Sequence, residues 1–73
     1  MTYCLAIFKS RAQAIDCRDA LARAGIGCEL VSTPSYVGIG CGLSVKVPTT
    51  AYLRARNIIT RRAYTQFYGY MNI

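Results

Sequence analysis

The sequence predicts an α+β chain of ferredoxin-like βαββαβ order: a four-stranded antiparallel sheet with two helices on one face. Two observations carry this expectation. Two segments repeat small apolar residues at helical spacing, and four short apolar or alternating runs are interleaved with them in the order strand, helix, strand, strand, helix, strand. A third observation, the placing of Gly25, Pro34 and Pro48 between those segments, supplies the breaks. At 73 residues the chain is expected to be a single domain spanning 1–73.

Residues 2–8 form a nearly continuous apolar run, which suits a central strand buried on both faces. Lys9 and Ser10 end it. Ser10 and Gln13 have the spacing of a capping box, in which the hydroxyl accepts from an early helical N–H and Gln13 reaches back. Ala14, Cys17, Leu21 and Ala24 then recur on one helical face, and Gly25 supplies the stop. Residues 27–32 read as the second strand, closed by Thr33-Pro34. After a loop over 33–42, residues 43–47 alternate apolar and polar as a half-buried strand does. Pro48 suits the first turn of a second helix, whose buried stripe is Ala51, Ala55, Ile58 and Ile59 and whose wet side holds Arg54, Arg61 and Arg62. The aromatic run 64–70 is read as the last strand, shortened by Gly69.

Composition narrows the function classes. Just over half of the residues are apolar and 16% are charged, which argues for a packed globule. The net charge of +6 is spread along the chain rather than gathered in a block, as expected for solvated helix faces and not for a nucleic-acid tail. The third strand lacks the aromatic signature of an RNA-binding sheet, which also argues against nucleic acid. No apolar segment approaches the length of a membrane span, and the first apolar run, interrupted by Lys9, does not read as a secretion signal. Cytoplasmic thiols are therefore expected.

Four cysteines, at 4, 17, 28 and 41, occur without any histidine and at separations that match no metal-ligand knuckle. No metal and no cofactor are expected. Cys4, Cys17 and Cys28 fall among apolar neighbours on strands or helices and read as small hydrophobes.

Cys41 differs, because it lies between Gly40 and Gly42 in a glycine-rich loop that leaves its side chain little covered. In a ferredoxin-like sheet the first and third strands are central neighbours. The start of the third strand then lies beside Lys9, Ser10 and Arg11, with Arg61 and Arg62 at the end of the second helix nearby. A helix N-terminus with added cations favours a thiolate, and the N–H groups of Gly40 and Gly42 can form an anion-binding concavity. With no histidine as a base, the chemistry open to Cys41 is carrying, transferring or sensing. The alternative reading makes Cys41 an incidental residue in a hairpin. The chain is then a small homo-oligomeric regulatory module, or one that binds an anion or nucleic acid, with no reactive thiol. Tyr3, Tyr68 and Tyr70 on the open sheet face would in that case meet a second copy.

Three stretches resemble a family of small bacterial domains described as selenium/sulfur carrier protein-like. They are Tyr3-Cys4-Leu5-Ala6-Ile7-Phe8 with its Ser-capped helix, Ala24-Gly25-Ile26 leading to Leu30-Val31-Ser32-Thr33-Pro34, and Cys41-Gly42-Leu43. Pro34, Cys41 and Gly42 match the family pattern, whereas Ser32-Thr33-Pro34 keeps only the second proline of its Pro-Thr-Pro-like turn. The resemblance implies cytoplasmic delivery of sulfur or selenium, with Cys41 as persulfide or selenopersulfide carrier. Its implied partners are a cysteine desulfurase or sulfurtransferase that loads it and an acceptor enzyme. Independent catalysis is not expected.

Overall fold

The computed structural model describes residues 2–38 and 42–73. Its elements are β1 (Tyr3–Phe8), α1 (Arg11–Arg23), β2 (Glu29–Ser32), β3 (Leu43–Pro48), α2 (Tyr52–Arg62) and β4 (Phe67–Asn72), with short 3-10 turns at Ser35–Val37 and Thr49–Ala51. The strands form one antiparallel sheet in the order β2-β3-β1-β4. This is the expected ferredoxin-like layout.

β1 is central because its sequence is apolar at every position that must be covered. Cys4, Ala6 and Phe8 join the helix-side core with Cys17, Leu21, Val45, Val47, Ala55 and Ile59. Leu5 and Ile7 alternate to the other face and are just as buried, at 2% exposure each. Lys46 pairs with Leu5 across the strands, and its ammonium lies 4.3 Å from the Tyr3 ring centroid.

α1 ends where the sequence says it must. Gly25 takes φ +80, its N–H donates to the Ala22 carbonyl at 3.0 Å, and the Ile26 N–H donates to the Leu21 carbonyl at 3.0 Å. Both orphan carbonyls are thereby satisfied, and Leu21 and Ile26 are buried together. The other helix end is half of the expected capping box. Ser10 Oγ accepts from the Gln13 N–H at 3.2 Å, but the Gln13 side chain does not return to Ser10. It bridges instead to the turn before β4, donating to Thr65 Oγ1 at 2.9 Å and accepting from the Gln66 N–H at 2.8 Å.

Three further expectations are corrected. Pro48 closes β3, paired with Tyr3, and a 3-10 turn separates it from α2; its fixed φ of −62 suits either role. The last strand starts at Phe67, not at 64, because residues just after α2 form the turn that Gln13 holds. Tyr70 is not on the open sheet face. β4 pairs Phe67 with Phe8 and Gly69 with Ile7, so Tyr68 is an extra residue in a bulge. That extra residue turns both Phe67 and Tyr70 to the helix side, where their rings lie 4.9 Å apart and Tyr52 meets Tyr70 edge-on at 5.2 Å. Among the described residues no helix is long and apolar enough to cross a membrane.

Candidate functional site

Of the residues expected to form a site, Lys9, Ser10, Arg11 and Gly42 lie at or just beyond one end of the β1–β3 pair. Phe8 pairs with Leu43, and beyond this last pair come Lys9 on one strand and Gly42 on the other. On the outer side Ser32 also pairs with Leu43, and the Thr33 N–H donates to the Gly42 carbonyl at 3.4 Å. The Thr33 and Ser44 hydroxyls lie 2.9 Å apart. Ser44 is fully buried, so this contact satisfies a polar group that water cannot reach. The base of the 33–42 loop is thus tied to β3 on both of its sides.

Pro34, with φ −57 and ψ 137, leads into the 3-10 turn Ser35–Val37, and Gly38 closes that turn at φ +80. Gly40 and Cys41, expected at the heart of the site, lie outside the described residues.

Lys9, Ser10 and Arg11 stand at the other side of this end. The Lys9 N–H donates to the Gln66 carbonyl at 2.8 Å, and its ammonium sits 5.9 Å from the Tyr68 ring centroid. Ser10 caps α1, and Arg11 is its first residue. No acidic residue occupies the first turn of α1, so the partial positive charge of the helix start stands beside Lys9 and Arg11 uncompensated.

Arg61 and Arg62 are drawn to different tasks. Arg62 donates twice to Asp16 Oδ2, from Nε at 3.1 Å and from Nη2 at 2.8 Å, and Tyr64 donates to the same oxygen at 2.6 Å. The Tyr64 hydroxyl and the Arg62 guanidinium hold the Asp16 carboxyl below its ordinary range. Arg61 lines a groove between the helices together with Ala20, Arg23, Ala24 and Ile58. Arg62 is thus committed to Asp16, whereas Arg61 has no carboxylate partner among the described residues.

Residues 3–68 match the family described as "Putative Se/S carrier protein-like". The chain belongs to this family. No curated protein matches it.

For a member of a sulfur-carrier-like family, the state of each thiol matters. Cys4 and Cys17 are buried and free, and Cys28 is half-buried and free, its thiol 3.5 Å from the Arg18 carbonyl. Burial raises all three above the ordinary thiol value, with Cys17 pushed up to about 12. At neutral pH they are protonated and poor nucleophiles. Among the described residues no three His, Cys, Asp or Glu side chains converge as metal ligands would.

Sequence reasoning missed Gln13, Asp16, Tyr64 and the Thr33–Ser44 pair as the groups that fix this end of the molecule. Their partners are remote in the chain, and residue type alone carries no signal of such pairing.

Proposed function

We propose that the chain is a sulfur or selenium carrier in which Cys41 holds the cargo as a persulfide or selenopersulfide. The observation that carries this reading is the setting of Gly42, the residue after Cys41. It precedes Leu43, the partner of Phe8, as Lys9 follows Phe8, and the start of α1 beyond Lys9 has no acid in its first turn to offset its positive charge. Family membership supports the same chemistry, and so does the contrast with Cys4, Cys17 and Cys28, whose thiols burial keeps protonated.

In this reading the Cys41 thiolate attacks the terminal sulfur of a persulfide on a cysteine desulfurase or sulfurtransferase. The donor's S–S bond breaks, its own cysteine leaves as a thiolate, and Cys41 becomes the persulfide. Nothing is oxidised or reduced overall. An acceptor enzyme's thiolate then repeats the attack on the terminal sulfur, and Cys41 leaves as the thiolate. A persulfide is more acidic than a thiol, so the positive helix start favours its anion. The Gly40 and Gly42 N–H groups act as donors to it, Lys9 and Arg11 add charge, Ser10 holds the helix start in place, and Pro34 sets the direction of the loop.

Incubation with a cysteine desulfurase and cysteine, followed by mass spectrometry, tests the proposal. The expected result is a gain of one sulfur on the peptide containing Cys41. No gain, or an equal gain on a Cys41→Ser protein, overturns it.

A further inference from the structure

The three acidic residues of the chain are all in ion pairs: Asp16 with Arg62, Asp19 with Arg18 and Glu29 with Lys46. The surplus positive charge therefore resides on Lys9, Arg11, Arg23, Arg54, Arg56 and Arg61, which have no carboxylate partner among the described residues. Three of these six border the cleft between α1 and α2. Arg23 and Arg61 line it directly, and Arg54 reaches across it to donate to the Ala24 carbonyl at 2.8 Å. The floor is Ala20, Ala24 and Ile58, and the open volume is about 520 Å³. Asp16, at the end of the cleft, is already occupied by Arg62 and Tyr64.

We propose that this interhelical groove docks an acidic, amphipathic segment of a partner protein. Ala20 and Ala24, at the end of α1, leave room beside Ile58 of α2 for apolar side chains of the segment, and the arginines match its carboxylates. Guanidinium groups suit that role because they bind carboxylates in pairs of hydrogen bonds and are weakly hydrated. A nucleic acid fits less well: no aromatic side chain lines the groove to stack a base, and its floor is apolar. The groove ends at Arg62 and Asp16, on the same side of the molecule as Gln13, Gln66 and Lys9. A docked segment thus leads toward the end of the sheet where Gly42 lies. The inference rests on the carrier reading for the partner being a protein, but its test does not involve Cys41.

The probe is a fluorescein-labelled peptide of glutamate and leucine at helical spacing, followed by anisotropy with the full chain. Binding is expected, weakened roughly tenfold or more by Arg23→Glu with Arg61→Glu. Arg56→Glu, a charge reversal on α2 outside the groove, is expected to weaken it by no more than about twofold. If the reversal pair does not fold by circular dichroism, Arg23→Gln with Arg61→Gln reads the same loss. Amide shifts on titration should centre on Ala20, Ala24 and Ile58. Equal weakening by Arg56→Glu overturns the proposal. So does equal binding of an all-glutamate peptide or of single-stranded DNA of matched charge. Peptide binding by a chain that takes up no sulfur leaves the groove standing and removes the carrier reading alone.

Discussion

The hydroxyls of Thr33 and Ser44 lie 2.9 Å apart at the base of the loop that carries Cys41, and Ser44 is fully shielded from solvent. Thr33→Val leaves the Ser44 hydroxyl buried without its partner, at a cost of about 1–2 kcal/mol. Adding Ser44→Ala removes the orphan, so the double variant is expected to be more stable than Thr33→Val alone. Urea midpoints of the three proteins check this order. Equal midpoints for the single and double variants would show that the pair does not matter.

Acid stability should depend on Asp16. Its folded pKa lies below the unfolded value, first because Tyr64 donates to it and second because Arg62 does. A depressed carboxyl contributes stability that is present above the unfolded pKa and lost as pH falls through the folded one. The chain should therefore lose stability below about pH 4. Asp16→Asn should flatten that part of the profile, and Tyr64→Phe should raise the Asp16 pKa in an NMR titration. An unmoved pKa in Tyr64→Phe would contradict the assigned cause.

The thiols should separate by reactivity. With Cys17 raised to about 12 by burial, and Cys4 and Cys28 raised in the same direction, alkylation of the folded protein at neutral pH should mark Cys41 first and Cys17 last. Peptide mapping after timed iodoacetamide exposure reads the order. Because the Cys17 pKa is raised on folding, its contribution to stability is present below the unfolded value and lost as pH rises toward about 12. Rapid labelling of Cys17 in the folded state would refute the description of its environment.

Ala63 ends α2 in the left-handed region, at φ 51 and ψ 51, where its Cβ is strained. Glycine adopts that conformation freely. Ala63→Gly should stabilise the chain by about 0.5–1 kcal/mol, the relief being partly offset by the greater freedom of glycine in the unfolded chain. Calorimetry should record a melting temperature higher by about 2–8 °C. A lower one would mean that the Ala63 side chain makes a compensating contact.

Much of the fold was legible because its determinants are local. The apolar run of β1 gave a strand covered on both faces, and Leu5 and Ile7 are as buried as Phe8. Helical spacing of Ala14, Cys17 and Leu21 marked the inner face of α1, and Gly25 marked its end through a single backbone conformation. The expected neighbourhood of Gly42, Lys9 and Arg11 followed from strand order alone, since antiparallel pairing of β1 with β3 brings the end of one beside the start of the other.

What the tertiary structure decided depends on register and on contacts between distant residues. The one-residue bulge at Tyr68 moved Tyr70 from the face suggested by its aromatic run to the core. Gln13 has the spacing of a cap for its own helix, but the turn before β4 comes within its reach and the Gln66 N–H donates to its side chain. Arg62 met Asp16, 46 residues earlier, only because antiparallel helices brought those two turns together. The sequence by itself determined which segments are strands and helices and where they stop, because backbone preference and apolar period are properties of neighbours. Which polar groups are committed to one another, and so which cations stay free for a partner, was decided by packing, because a hydrogen bond is won by the group the fold brings nearest.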